Sequence, residues 1–208
     1  MKSILLSSIV LICSFLSSSS LEKEQFLDFF SSNNFFSASL QQKTVKNNQE
    51  RIISGSLLAD RKLGRFKLSY DYPFNELIVS NGEELYIYDE DLDQLDIHPV
   101  ENLLKETPIG LLTLNRQDLK DSFIFEDCLK IKTKISCKVR FNNFSSQIDW
   151  VKIKIKNKDL TGFVYKDAFG QVISIDFDNI SYQEINDKEF SFEAPAGIDV
   201  VRHKSILE

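Results

Sequence analysis

The stretch 62–89 constrains the fold of this chain more than any other. It reads Lys-Leu-Gly-Arg-Phe-Lys-Leu-Ser-Tyr-Asp-Tyr-Pro-Phe-Asn-Glu-Leu-Ile-Val-Ser-Asn-Gly-Glu-Glu-Leu-Tyr-Ile-Tyr-Asp. Apolar side chains fall on every second position, the period of a pleated strand with one buried face. Asn81-Gly82 interrupts the pattern with the residues a tight hairpin prefers, because both tolerate a positive φ. Two or three consecutive antiparallel strands are therefore expected here, and a sheet must continue on either side of them.

The same alternation predicts strands over 36–45, 51–59, 66–72, 77–80 and 84–88, and a short one within 89–98 closed by His98-Pro99. After a helical interval it resumes over 123–126, 129–134, 136–141, 147–156, 162–166, 172–177 and 189–193. Leu21, Phe26, Leu27, Phe29 and Phe30 follow helical spacing instead, which predicts an amphipathic helix over 21–32. Between 100 and 120 the leucines at 103, 104, 111, 112 and 114, broken at Thr107-Pro108 and Asn115, predict two or three short helical pieces. About eleven strands without βαβ spacing cannot stay flat. The expected fold is mainly β with helices (α+β), a curved antiparallel sheet forming an open, incomplete barrel covered by a helical lid. The chain has 17 Phe, and that much aromatic surface must fill a large core or line an apolar cavity.

Residues 1–20 read as a cleaved signal peptide: Lys2, an apolar run to Leu16, then Ser17–Ser20. Cys13 follows Ile12, where a lipoprotein signal wants a small residue, so a soluble mature chain is expected over 21–208, forming one domain. The formal charge is −6, against the basic face of a general nucleic-acid binder. Cys128 and Cys137 are spaced to face each other on a hairpin turning at Lys132-Thr133. An oxidising compartment permits a disulfide there, but that turn lacks Gly or Asn, so the spacing leaves bridged and free cysteines both open.

Signs of catalysis are missing from the sequence. It contains no GxSxG elbow, no CxxC and no Gly-rich phosphate loop. The two histidines, His98 and His203, have no nucleophile or ligand pattern around them, so neither a metal nor a cofactor is expected. Asp89-x-Asp91-x-Asp93 starts like a calcium loop, but Gln94 stands where Gly is needed and Val100 where Glu is. Asn143-Phe144-Ser145 matches a glycosylation acceptor formally and reads as a loop.

Five segments resemble the outer-membrane lipoprotein carrier protein family (LolA). Lys62-Leu63-Gly64-Arg65-Phe66-Lys67-Leu68-x-Tyr70 is similar to its RPxxFRWxY segment, and 77–89 to its paired strands. Thr107-Pro108-x-x-Leu111-Leu112 resembles TPxxLL. Asp167-x-x-Gly170-Gln171 and Phe190-x-Phe192-x-x-Pro195-x-Gly197-Ile198-Asp199-Val200 resemble the family's late turn and its end. The resemblance implies a non-enzymatic periplasmic carrier whose hydrophobic cavity holds the acyl chains of lipoproteins. The cargo would come from an inner-membrane ABC complex and pass to an outer-membrane receptor lipoprotein, with the carrier acting as a monomer. Carried over by position, the cavity candidates are Phe66, Leu68, Ile78, Ile109, Leu112 and Phe163, each of which is equally readable as ordinary core. The family's lid-closing Arg falls at Lys62, with Arg61 adjacent. A sensing module on the same scaffold, a carrier of another amphiphile and a lipid-active enzyme are the competing readings.

Overall fold

The computed structural model describes residues 18–46, 49–100, 107–142 and 148–204. The signal-peptide reading lies outside the described residues up to residue 17, as do Leu103, Leu104 and the Asn143-Phe144-Ser145 motif. None of the described helices is long and apolar enough to cross a membrane.

Helix α1 (Ser18–Ser32) leads into two long paired strands, β1 (Phe35–Lys46) and β2 (Gln49–Asp60). Then come β3 (Arg65–Tyr72), β4 (Glu76–Ser80), β5 (Glu84–Asp89) and β6 (Gln94–Pro99). Two short helices, α2 (Gly110–Thr113) and α3 (Arg116–Ser122), separate these from β7 (Phe123–Ile131), β8 (Lys134–Phe141), β9 (Ile148–Lys156), β10 (Asp159–Asp167) and β11 (Val172–Ser181). The last strand, β12 (Asp199–Arg202), follows a 3-10 turn at Asp187–Phe190. All twelve strands form one sheet, in the order β12-β6-β5-β4-β3-β2-β1-β11-β10-β9-β8-β7. The chain thus starts mid-sheet, builds outward to β6, restarts at the far edge with β7, and works back until β11 pairs with β1. The outer strands β12 and β7 do not pair, so the barrel stays open.

Curvature has local causes. A Cβ on Gly55 would sit 1.9 Å from the Ser69 carbonyl oxygen, and one on Gly162 would sit 2.2 Å from that of Ile175. Both glycines lie at register shifts, between Ser54 and Gly55 in β2 and between Leu160 and Gly162 in β10. A bulge with no side chain lets the neighbouring backbone press in and the strand bend. The main core fills the concave side, where Phe36, Leu40, Leu57, Val139, Ile153 and Phe163 meet Phe26, Leu27 and Phe30 of α1. Full burial of those three helix side chains contributes about 1.5–3 kcal/mol each. A smaller cluster of Val79, Leu95 and Ile97 lies on the opposite face of β4–β6, outside the main core. The terminal segment reaches that face, with Phe192 against the Tyr86 and Tyr88 rings.

Several expectations shift in detail. The break expected near 127 is a bulge between Phe125 and Asp127 in the continuous strand β7. The bulge aims Glu126 at Lys138 and Arg140. No strand forms over 189–193. Phe190 and Phe192 alternate because both cover the back of the sheet, and Phe190 is buried there under the Arg65 guanidinium, 4.7 Å from its ring. The parallel strand β12 was not anticipated, since four residues carry too little pattern to read. The acids at 89–93 hold their own turn: Asp89 accepts from the Leu92 amide and Asp91 from that of Asn75.

Cys128 and Cys137 are directly opposed on β7 and β8, with sulfurs 2.09 Å apart. Cross-linking so short a loop contributes about 2–3 kcal/mol through the unfolded chain. Reduction is expected to lower the urea-unfolding free energy by that amount, and a Cys128→Ser/Cys137→Ser double variant to lose sensitivity to reductant. Gly55→Ala should cost about 1–3 kcal/mol in the same assay, the usual penalty of forcing atoms into a filled space.

Candidate functional site

A cavity of about 260 Å³ opens on the concave side. Strand parity builds its wall. Phe66 and Leu68 of β3 project the same way, and their cross-strand partners extend the row: Ala59 and Leu57 on β2, Ser80 and Ile78 on β4, then Leu85 and Ile87 on β5. Leu40, Phe163, Ile175 and Phe177 form the far wall, from β1, β10 and β11. Thr107, Pro108 and Ile109, the residues leading into α2, close the top.

Polar groups are few in this lining. Tyr70 donates to Gln42 Oε1 at 3.4 Å, and burial raises the Tyr70 and Tyr165 hydroxyls above the usual phenol range. Both are neutral donors at any physiological pH. The Thr107 hydroxyl is buried and has no hydrogen-bond partner among the described residues. These groups suit a ligand that is hydrocarbon along most of its length with an occasional acceptor.

Five of the six cavity candidates, Phe66, Leu68, Ile78, Ile109 and Phe163, line this space. Leu112 does not. It is buried in the main core at 4% exposure, as is its neighbour Leu111. Leu40, Leu57, Leu85, Ile87, Ile175 and Phe177 were missed as lining residues. The signal was present in the period-two rows that contain them, but which row faces the cavity depends on the curl of the sheet.

The cover is fastened by Arg61. Its guanidinium is buried and donates through Nη2 to the Leu111 carbonyl at 2.6 Å and through Nη1 to that of Leu114. Its amide donates to the Asn34 carbonyl, and its charge lies 4.9 Å from the centre of the Phe30 ring. One side chain therefore ties the end of β2 to α1 and α2. Lys62 is exposed in the following turn, so of the two lid-closure candidates only Arg61 reaches the cover. Neighbouring Asp60 is committed elsewhere: it pairs with Arg65 at 2.6 Å and accepts from the Lys62 and Leu63 amides. With no carboxylate partner among the described residues, burial pushes the Arg61 guanidinium down to about 9. It stays charged at neutral pH, at a cost to the closed form.

A second tie is made at the surface, where Arg116 of α3 bridges Glu24 and Asp28 of α1 at 2.5 and 2.7 Å. Exposed pairs of this kind contribute little.

An open barrel with a covered apolar pocket defines a binding protein for hydrophobic ligands. Likeness to known proteins narrows the class. The family model described as "Outer membrane lipoprotein carrier protein LolA" matches residues 31–193, and the chain belongs to that family. Proteins named outer-membrane lipoprotein carrier protein are similar to it at 26% identity in Chromohalobacter salexigens, with 80% of each chain covered, and at 28% in Methylobacillus flagellatus, with 83% and 85% covered. That from Hahella chejuensis is 30% identical over 72% of each. Among solved structures, the LolA superfamily protein NE2245 of Nitrosomonas europaea matches with a TM-score of 0.52 at 11% identity, covering 81% of this chain and 97% of that one. An uncharacterized conserved protein of Thermus thermophilus matches at 0.55 and 13%, covering 87% and 99%. These two show the shared fold.

Arg61→Ala removes both tethers of α2. Hydrogen bonds from a charged group contribute about 1.5–3 kcal/mol each, part of it offset here by burial. Amide exchange across 110–114 should quicken at least about tenfold by mass spectrometry, while β8 and β9 stay protected. Arg61→Lys, without the planar fork, should fall between the two.

Proposed function

We propose that this chain is a non-enzymatic lipoprotein carrier. The cavity shields acyl chains, and the segment 107–114 acts as the cover that moves aside for them. The observation that carries this reading is an apolar pocket walled by Leu68, Ile78 and Phe163 and roofed by Ile109. It is a chamber for hydrocarbon, lined among the described residues chiefly by aliphatic and aromatic side chains. At about 260 Å³ it lies below the usual range of small-molecule pockets, about 300–1,000 Å³. Several long acyl chains require it to widen, and Ile109 is the residue that gives way. Within this proposal, residues 1–20 direct export to the periplasm and 21–208 form the single carrier domain. The cargo leaves an inner-membrane ABC complex and is handed to an outer-membrane receptor lipoprotein.

Membership of the carrier family supports the reading, and so does the energetics. Shielding a methylene is worth about 0.8 kcal/mol, so a partly buried chain already supplies micromolar binding without any specific polar contact. Purified chain incubated with vesicles bearing a triacylated lipoprotein should solubilise it as a one-to-one complex. Leu68→Glu and Ile109→Glu place a charge against the tails, which is costly without a partner, and should cut the retained cargo at least about tenfold. Leu129→Glu, at a residue exposed on β7, should not. A Leu68→Glu protein that folds, by circular dichroism, and still retains cargo like the parent would sink the proposal.

A further inference from the structure

The chain has two histidines, 105 residues apart in sequence, and the fold brings them together. The His98 and His203 rings lie 4.0 Å apart. Asp96 completes the group, with its Oδ1 2.9 Å from His203 Nε2. One ligand atom from each of the three lies within 4.8 Å of the others. We propose that Asp96, His98 and His203 bind a divalent transition-metal ion of the zinc class, which clasps the C-terminal strand to the body of the sheet.

The topology explains the convergence. Asp96 and His98 are two apart on β6, so both project from one face while Leu95 and Ile97 are buried on the other. Parallel pairing sets Val201 of β12 beside Asp96 and Arg202 beside Ile97, and the His203 amide donates to the Ile97 carbonyl at 2.8 Å. That last bond places His203 alongside the two β6 ligands. Two imidazoles and a carboxylate are a familiar donor set for zinc, with metal–ligand distances of about 2.0–2.2 Å. Donors on a common ion then stand about 3–3.5 Å apart, so Asp96 and His203, now in hydrogen-bond contact at 2.9 Å, need part by only a few tenths of an ångström for an ion to replace that bond. The carboxylate is held from behind, since Gln94 Nε2 donates to Asp96 Oδ2 at 2.9 Å. Outer hydrogen bonds of this type orient ligand groups for metal.

One rearrangement is required. The rings are 7° from parallel, and an ion must lie in the plane of each imidazole that binds it. His98 or His203 has to turn out of the stack, which is open to both at this half-exposed edge. Three protein ligands leave a position for water, so the expected affinity is moderate.

The site lies outside the cavity. Leu85 and Ile87, which line it, are the cross-strand partners of His98 and Asp96. The ion therefore lies one strand beyond the wall, on the same face of the sheet. Its structural effect falls on β12, a four-residue strand whose side chains are all exposed.

The test is titration of the full chain, purified without an affinity tag, with zinc chloride in a calorimeter, alongside the visible absorption of its cobalt form. One site per chain with a micromolar dissociation constant and a cobalt band of nitrogen–oxygen ligation is expected. His98→Gln and His203→Gln should each weaken zinc at least about thirtyfold with unchanged circular dichroism, and zinc should slow trypsin cleavage after Arg202 in the parent only. Absence of saturable binding, or equal zinc affinity in parent and variants, overturns the proposal. Cleavage after Arg202 that ignores zinc in the parent likewise overturns it.

Discussion

A positive charge buried with no negative partner among the described residues ties α2 to the end of β2. Arg61 donates hydrogen bonds to two main-chain carbonyls on the cover and lies against a phenyl ring of α1. Carbonyls and ring faces are weak substitutes for a carboxylate or for water. The arrangement survives because Arg61 directly follows a long strand, fixed by its own amide to Asn34, and because the leucines around it exclude solvent. A carboxylate at that point would make a tighter latch and a poorer cover. As built, the favourable burial of Leu111, Leu112 and Leu114 is set against the cost of dehydrating a guanidinium. The two oppose each other, which leaves the closed form less secure than its apolar packing suggests.

The cavity follows the same logic. Its cover is itself apolar, so hydrocarbon entering beneath Ile109 competes with the side chain for the same wall. Each methylene gained is worth about 0.8 kcal/mol, and displacing the cover costs a similar amount for equal apolar area returned to water. The balance depends on how much chain goes in, and a small resting cavity keeps that amount limited. Tight, irreversible holding would defeat a carrier. The rigid parts of the wall are the strands, whose bends are fixed at Gly55 and Gly162. Adaptation must come from the helical side.

Much of this was legible in the residues. The alternation around Asn81-Gly82 located β3, β4 and β5, and the Phe-rich stretch after Leu21 located α1, because long periodic segments report directly on one buried face. Cavity residues on β3, β4 and β10 were readable by likeness to a family segment. Leu112 does not line the cavity, because both leucines of α2 are buried in the core and the residues just before the helix, Thr107 to Ile109, form the roof, which a motif alone does not reveal. Choosing between Lys62 and Arg61 was likewise beyond a motif. The deciding fact is that β2 runs to Asp60, which leaves Arg61 inside the turn and Lys62 outside it. The meeting of His98 and His203 had no local signature at all, since it depends on a parallel strand at the end of the chain.

Like charges impose a further constraint on the far edge. On β8 and β9, Lys134 faces Lys156 and Lys138 faces Lys152 across one ladder, pairings that disfavour the sheet. Glu126 relieves one of them by binding Lys138, which it can reach because β7 bulges there. Asp176 draws Lys154 toward β11. The remaining repulsion works on the β7–β8 hairpin, an edge unit with one strand unpaired on its outer side. The Cys128–Cys137 bridge crosses that hairpin on its buried face, opposite the lysines, and fixes its register covalently. On β7 itself, Glu126, Asp127 and Lys130 discourage another chain from adding to the exposed strand. The disulfide thus fixes from the core side a hairpin whose other face carries mutually repelling charge, at the edge of an open barrel whose outer strands do not pair.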